Sequence, residues 1–238
     1  MSTVLLLVQD FCGKMSLPIP AALMTSTETT MVQMRSLCQE VLRSLRKFEW
    51  QRQRLRVTWT SVATESQGVL DSAGLFTSAY RRLVPGTMWN VSLNRPIFGP
   101  IGSANWQMLK SAVPTGPVET YRIEGNELKI LPVMQAGQTC SAMVLTSYGC
   151  VASDTTTYKE RFTADDDTPL FPDEVFITDL EWRWLKQKGE PWTAAYEQAY
   201  SELCSNLNKD GHMPVVDLGS PRPQVEHGLV IPAGNWNV

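Results

Sequence analysis

Histidine is almost absent: the 238-residue chain holds two, His212 and His227, both in a C-terminal stretch broken up by prolines and glycines. A Ser-His-Asp or Cys-His site, or a histidine-ligated metal, would have to be built on the least patterned part of the chain. No run of about 18 apolar residues occurs, which leaves no candidate membrane-spanning helix. The glycine motifs that cradle phosphates or dinucleotides are missing, and so is the G-x-S-x-G turn of serine hydrolases. The five cysteines (Cys12, Cys38, Cys140, Cys150, Cys204) are odd in number and never spaced C-x-x-C, which argues against a disulfide framework and a zinc knuckle. The opening MSTVLLLVQDF has an aliphatic run without a basic n-region or a small-residue cleavage site, so the expectation is a chain made and kept in a cytosol. With 43% hydrophobic residues and a net charge of −3, one large or two small domains fit. The slightly acidic balance speaks against a dedicated nucleic-acid binder.

Helical periodicity dominates both ends of the chain. Thr3 is placed to cap a first helix with Val4, Leu5, Val8, Phe11 and Cys12 on one face, ending near Gly13. Leu17-Pro18-Ile19-Pro20 forces an extended connector. Thr25 with Glu28 has the spacing of a capping box, ahead of a helix running to about Phe48. Its stripe is Met31, Met34, Leu37, Cys38, Val41, Leu42, Leu45 and Phe48. Near the other end, Asp173 opens a helix with Phe176, Ile177, Leu180 and Trp184 on one face, and a second, narrower seam of Val175 and Trp182 on nearly the opposite side. Two seams imply two neighbours, which makes Val175 and Trp182 candidates for a subunit interface. Gly189 suits a left-handed C-cap and Pro191 a helix start, so the chain reverses into an αα-hairpin. The stripe of its second helix, Trp192, Ala195, Tyr196, Ala199, Tyr200, Leu203 and Leu207, reads as ordinary core; Glu197, Gln198 and Glu202 fall on the exposed face.

From Leu55 the period changes. Val57, Trp59 and Ala63 alternate with Thr58, Thr60 and Val62, a strand pattern. Arg95-Pro96-Ile97-Phe98-Gly99-Pro100 must be irregular, Ser103 is placed to cap a short helix presenting Trp106 and Leu109, and Tyr121–Ile123 with Leu128–Ile130 flank a hairpin turn at Gly125-Asn126. Further strands are expected near Ser141–Ser147 and Thr155–Phe162. The fold class is therefore α+β: a helical bundle of N-terminal helices (1–54) and a C-terminal hairpin (164–209), a β-rich module inserted between them (55–163), and an arm at 210–238. The proline- and glycine-rich composition of that arm suits an extended segment laid on a neighbouring subunit.

Three clusters bear on chemistry. Arg43, Arg46, Lys47, Arg52, Arg54 and Arg56 fall within fourteen residues; they read as a solvated face paired with Glu40 and Glu49, or, repeated around a ring, as a surface turned to a DNA duplex. Asp165, Asp166 and Asp167 with Asp173 and Glu174 are dense enough to consider for a divalent cation. Their spacing matches no calcium loop, and acids before a helix start also complement its dipole. Of the eight tryptophans, Trp59, Trp89 and Trp106 could form a carbohydrate-binding surface, although burial claims most tryptophans. Asn90-Val91-Ser92 is a formal glycosylation sequon that, without a secretory signal, reads as chance. No catalytic residue, metal ligand or cofactor is assigned.

Taken in order, Thr3-Val4-Leu5 through Leu17-Pro18, Thr25-Ser26-Thr27, Thr87-Met88-Trp89-Asn90, Arg95-Pro96 with Gly99-Pro100, Trp106, Tyr121-Arg122-Ile123, Ala164-Asp165-Asp166-Asp167-Thr168, Glu181-Trp182-Arg183-Trp184 and Lys188-Gly189 resemble the head-to-tail adaptor proteins of short-tailed bacteriophages, the tail tubular protein A type. The resemblance covers most of the chain to about Asn208. It implies a non-enzymatic virion protein at the neck, present in the host cytoplasm before assembly: a ring of twelve copies docked under the portal protein, meeting a tail tube or nozzle protein, and lining the channel through which double-stranded DNA leaves. It implies no membrane partner. The alternative expectation is a virion accessory protein with a carbohydrate-binding β module.

Overall fold

A computed structural model describes residues 2–70, 75–76, 79–112 and 118–210; the arm expected at 210–238, with both histidines, lies outside them except for Asp210, which ends the last helix. Five α-helices and three antiparallel sheets are present among the described residues, so the protein is mixed α+β.

Helix α1 (Val4–Lys14) is capped as its sequence predicts, the Thr3 hydroxyl accepting from the Leu6 amide at 3.4 Å; Val4, Val8, Phe11 and Cys12 of the expected stripe are fully buried together with Leu7, while Leu5 is only partly covered. Helix α2 (Thr29–Leu45) starts later than the Thr25 capping box would place it, with Glu28 as N-cap and no side-chain cap bond. The reason lies just upstream: the Leu23 and Met24 amides are held by the Asp165 carboxylate at 3.1 and 2.7 Å, and Arg35 donates to the Met24 carbonyl at 2.7 Å. These ties keep the approach to the helix extended.

A single turn at Gln51–Gln53 leads into β1 (Arg54–Thr60), followed by β2 (Ser66–Val69), β3 (Tyr80–Leu83), β4 (Trp89–Asn90), β5 (Arg95–Pro96) and α3 (Ser103–Ala112). Strands β6 (Thr120–Glu124) and β7 (Glu127–Leu131) form the expected hairpin, with Gly125 and Asn126 both at positive φ (58° and 69°) as its two-residue turn demands. Strand β8 (Thr139–Thr146) organises the largest sheet: β1 pairs with it from Arg54↔Leu145 to Thr60↔Thr139, while β3 and β4 also pair with it. Strands β2, β7 and β6 form a second sheet. The expected strand over Thr155–Phe162 shrinks to β10 (Tyr158–Lys159), which joins β9 (Cys150–Val151) and β11 (Thr168–Pro169). Helix α4 (Asp173–Lys188) ends on Gly189 in the left-handed region (φ 77°), and α5 (Thr193–Asp210) follows, completing the hairpin.

Two separate cores result. One gathers α1, α2 and α4 around Trp50; the other lies under β1, β7 and β8 with Tyr121, Met88 and Ile97. Cys150, Phe162 and Phe171 belong to the first core. The small third sheet, expected within the β-rich module to residue 163, therefore packs with the helices instead. Gly149 stands at the seam because a Cβ there would come within 2.8 Å of the Leu42 side chain on α2. Gly99 plays the same part in the β core, where a Cβ would lie 2.5 Å from the Tyr121 carbonyl oxygen.

Candidate functional site

The basic cluster read from sequence does not stay together. Arg43, Arg46 and Lys47 lie at the C-terminal end of α2 and line a cleft of about 540 Å³, where Arg81 from β3 and Arg183 from α4 join them and Glu40 is the one carboxylate in the lining. The end of α2 leaves carbonyls without intrahelical partners. Arg81 supplies donors for that region, its two terminal nitrogens reaching the Arg46 and Lys47 carbonyls at 2.7 Å each. Arg46 in turn reaches across the seam to the carbonyls of Glu160 and Ser147 at 3.3 and 3.4 Å. Arg183 is braced by Asp179 at 3.0 Å and pairs with Glu40. Three of the five cations are therefore fixed by the fold, while Arg43 and Lys47 are solvent-exposed. Such a cleft favours anions, phosphate oxygens in particular, with Arg43 and Lys47 as mobile donors over a fixed positive background.

The other three members of the sequence cluster point elsewhere. Arg52 lines a second cleft of about 410 Å³ with Trp50, Asp173, Glu174 and Asp210, where acids outnumber it. Arg54 and Arg56 are on β1, opposite Leu145 and Met143. Arg81 and Arg183 were missed in the sequence because they are distant in the chain; only the folding of β3 and α4 beside the end of α2 brings them in.

The interface seam is corrected too. Val175 is 1% exposed and lies in the helix-side core, so its face of α4 meets the same chain and is not free for a neighbour. Trp182 is half-buried within the hairpin: its indole N–H donates to Asp179 at 2.6 Å, and its ring meets Tyr196 and Trp192 with centroids 5.2 and 6.1 Å away. The second neighbour of α4 is therefore α5 of its own chain. Conversely, the stripe of α5 is not core. Ala199 alone is buried, Leu203 and Leu207 are partly covered, and Tyr196 and Tyr200 are 43% and 59% exposed. Helix α5 rests mainly on α4, so half of its apolar stripe overhangs the contact. The result is a ladder of rings, Trp182, Trp192, Tyr196 and Tyr200, with Arg183 4.5 Å from the Trp182 centroid and Lys186 5.2 Å from that of Trp192.

The acidic run serves as an anchor. Asp167, 1% exposed, accepts from the Thr163 and Ala164 amides at 2.6 and 3.0 Å and from Lys159 at 2.7 Å. Burial alone would raise its carboxyl pKa, but Lys159 and the two amides outweigh it and hold the group below the ordinary carboxylate range. The Asp167 and Asp165 carbonyls accept from Val4 and Leu5 at 2.8 and 3.3 Å, so the run caps α1, some 160 residues upstream. Its expected role at the start of α4 falls to Asp173 and Glu174 in the first turn. Asp173 also binds the Ser2 amide at 3.0 Å. Among the described residues no group of three or more His, Cys, Asp or Glu side chains is placed to hold a metal ion.

Of the tryptophans considered for carbohydrate, Trp59 and Trp106 are 7% and 1% exposed, and Trp89 is half-buried in β4 opposite Pro96. The β module does not offer these rings as a platform. Beside them Asn90, buried, donates to Glu119 at 3.2 Å and to Gln138 at 2.8 Å, a polar node that fixes the geometry of β4. This use of the side chain also accounts for the sequon residue without glycosylation. Four of the thiols, Cys12, Cys38, Cys140 and Cys150, are buried, and burial pushes Cys140 and Cys150 up to about 12, as expected of packing cysteines rather than nucleophiles.

No family model matches the chain, and no curated protein matches it. Among the described residues no helix is long and apolar enough to cross a membrane.

Proposed function

We propose that the chain is a structural virion protein, one subunit of a head-to-tail adaptor ring that docks on a portal protein, joins capsid to tail and lines the exit channel for double-stranded DNA. The observation that carries this reading is the ordered resemblance along the chain, and some of the residues that make it also lie together in the fold. In the β core Trp89 pairs with Pro96, Asn90 with Arg95, and the Ile101 amide donates to the Tyr121 carbonyl at 3.1 Å beside Gly99. On the helix side Lys14 pairs with Glu181.

On this reading α1, α2 and the α4–α5 hairpin form one bundle, the stretch from β1 to β8 is a module inserted into it, and residues after 210 form an extended arm. The partners are further copies of the chain, twelve by resemblance, together with the portal protein and a tail tube or nozzle protein. Exposed apolar side chains suited to such contacts exist on both bodies: Leu6 and Val32 on the helices with Ile19 on the connector between them, and Phe98, Met108 and Val133 on the β side. DNA passing the ring would meet the cleft of Arg43, Arg46, Lys47, Arg81 and Arg183 through weak, salt-dependent phosphate contacts. The reading includes no catalytic step, cofactor or membrane contact, and places the protein in the virion neck and, before assembly, in the host cytoplasm. The test is co-sedimentation of the purified chain with portal rings, together with its copy number in purified particles. Stoichiometric multiple copies support the reading; a chain that ignores portals and is missing from particles removes it.

A further inference from the structure

Arg183 belongs to two features at once. It lines the basic cleft, and its guanidinium carbon stands 4.5 Å from the centroid of Trp182, the ring that opens the aromatic ladder. Cations and rings therefore adjoin, from Arg43 and Lys47 at the end of α2, over Arg183, to Tyr196 and Tyr200 on α5. We propose that this surface is a binding track for single-stranded nucleic acid, the cleft holding backbone phosphates and the exposed rings stacking unpaired bases.

Each half supplies what the other lacks. Beyond its cations the cleft is lined by Ser44, Ser147 and Glu40, with no aromatic or aliphatic side chain to receive a base. The ladder provides that face. Tyr196 and Tyr200 are 43% and 59% exposed and lie 6.4 Å apart with 23° between their planes, and Trp192 stands 6.1 Å from Tyr196. Proteins that bind single strands combine a cationic groove along the backbone with aromatic side chains under the bases. Such rings add nothing for a duplex, whose bases are already stacked on one another.

Charge along the path is suited to a polyanion. The two carboxylates that touch Arg183 are neutralised within the protein: Glu40 pairs with it, and Asp179 accepts both from it and from the Trp182 indole at 3.0 and 2.6 Å. Lys186 stands 5.2 Å from the Trp192 centroid and 5.7 Å from that of Trp182, which carries positive charge along the ladder. Glu197, exposed on α5 next to Tyr196, is the acid a strand would pass. A glycan would use the rings but not the cations beside them, and an acidic peptide would use the cations but gain little from flat ring faces. The track shares its cleft with the adaptor reading but not its rings, so the two stand or fall separately.

The experiment measures the anisotropy of fluorescein-labelled oligothymidylate, oligouridylate and a mixed-sequence duplex of matched length, titrated with the full chain at low salt. The expected result is an affinity for at least one single strand about tenfold or more above that for the duplex. The preferred sugar assigns the ligand as DNA or RNA, and equal affinities for the two strands mean that the 2′-hydroxyl is not read. Tyr196→Ala with Tyr200→Ala should weaken single-strand binding about tenfold or more and leave the duplex unchanged, with circular dichroism checking that the fold is kept. Tyr200→Phe, which keeps the ring, should bind as the unaltered chain does. Arg43→Ala with Lys47→Ala should weaken all three probes, and Glu197→Gln should strengthen the single strands. Equal affinity for strand and duplex, with a silent double-tyrosine variant, would overturn the inference and leave the duplex contact of the adaptor reading in place. Displacement by poly-L-glutamate as readily as by unlabelled oligothymidylate of equal charge would overturn it in favour of an acidic protein partner. Absence of binding to all three probes would overturn it outright.

Discussion

Gly149 and Leu42 touch so closely that a methyl group on the glycine would sit 2.8 Å from the leucine Cγ. Leu42 is fully buried on α2, and Gly149 begins the chain's return from the large sheet to the helices, so this contact sets how near the two bodies approach. Gly149→Ala should therefore lower stability by about 1–3 kcal/mol, the usual cost of overpacking. Chemical denaturation checks it, and an unchanged midpoint would mean that the seam has slack.

Asp167 makes stability pH-dependent in a stated direction. Its folded pKa is depressed, so the stability it contributes is present above the unfolded value of about 4 and is lost as pH falls through the folded value. Lys159, raised by its hydrogen bond to Asp167, contributes stability that is full below its unfolded value and fades only as pH rises through the higher folded value. Asp167→Asn should cost about 1–3 kcal/mol at pH 7, because the buried carboxylate's charge-assisted bonds from Lys159 and from the Thr163 and Ala164 amides are lost or weakened, and the difference from the unaltered protein should shrink below pH 4. Thermal melts from pH 2.5 to 8 provide the comparison.

Val175 and Tyr200 should behave in opposite ways to their sequence-based assignments. Val175→Ala, in the core, should cost about 1–2 kcal/mol as a cavity forms. Tyr200→Ala, at an exposed rung, should stay within about 1 kcal/mol. Trp182→Ala should leave the helix-side core intact and speed amide exchange through α5, since that ring is the main aromatic contact between the hairpin's helices. Hydrogen exchange resolves the two regions separately.

The basic cleft should show its charge in salt dependence. Arg43→Ala with Lys47→Ala should reduce the slope of log affinity for a short DNA duplex against log salt by about 1 to 2, one phosphate contact per cation. Arg52→Ala and Arg56→Ala should leave the slope unchanged. Fluorescence anisotropy at several salt concentrations makes the comparison.

Where side-chain periodicity met a complete set of neighbours, the sequence was informative. The stripes of α1 and α2 are buried except at Leu5, which is partly covered, and at Phe48, which lies beyond the end of α2 and is 37% exposed; the Gly125-Asn126 turn forms where expected, and the hairpin reverses on Gly189. Periodicity does not say what a stripe faces, however. Val175 and Trp182 were legible as a second seam, but not that the seam would be met by core and by α5, and the stripe of α5 looked like core although little of the molecule covers it. Charge clusters fared worse, because contiguity in sequence places side chains on different elements once a helix ends and a strand begins between Lys47 and Arg54. Arg81 and Arg183 carried no local signal that they would join Arg43. The Thr25 capping box failed for a related reason: long-range bonds from Asp165 hold the backbone at Leu23 and Met24, just ahead of it.

The most direct measurement is an electron micrograph of the purified chain mixed with portal rings, averaged along the channel axis. A twelvefold ring seated on the narrow end of the portal, with the Arg43, Lys47 and Arg81 cleft turned to the lumen, is the expected result. A portal left bare while the chain remains monomeric would contradict the proposed adaptor function.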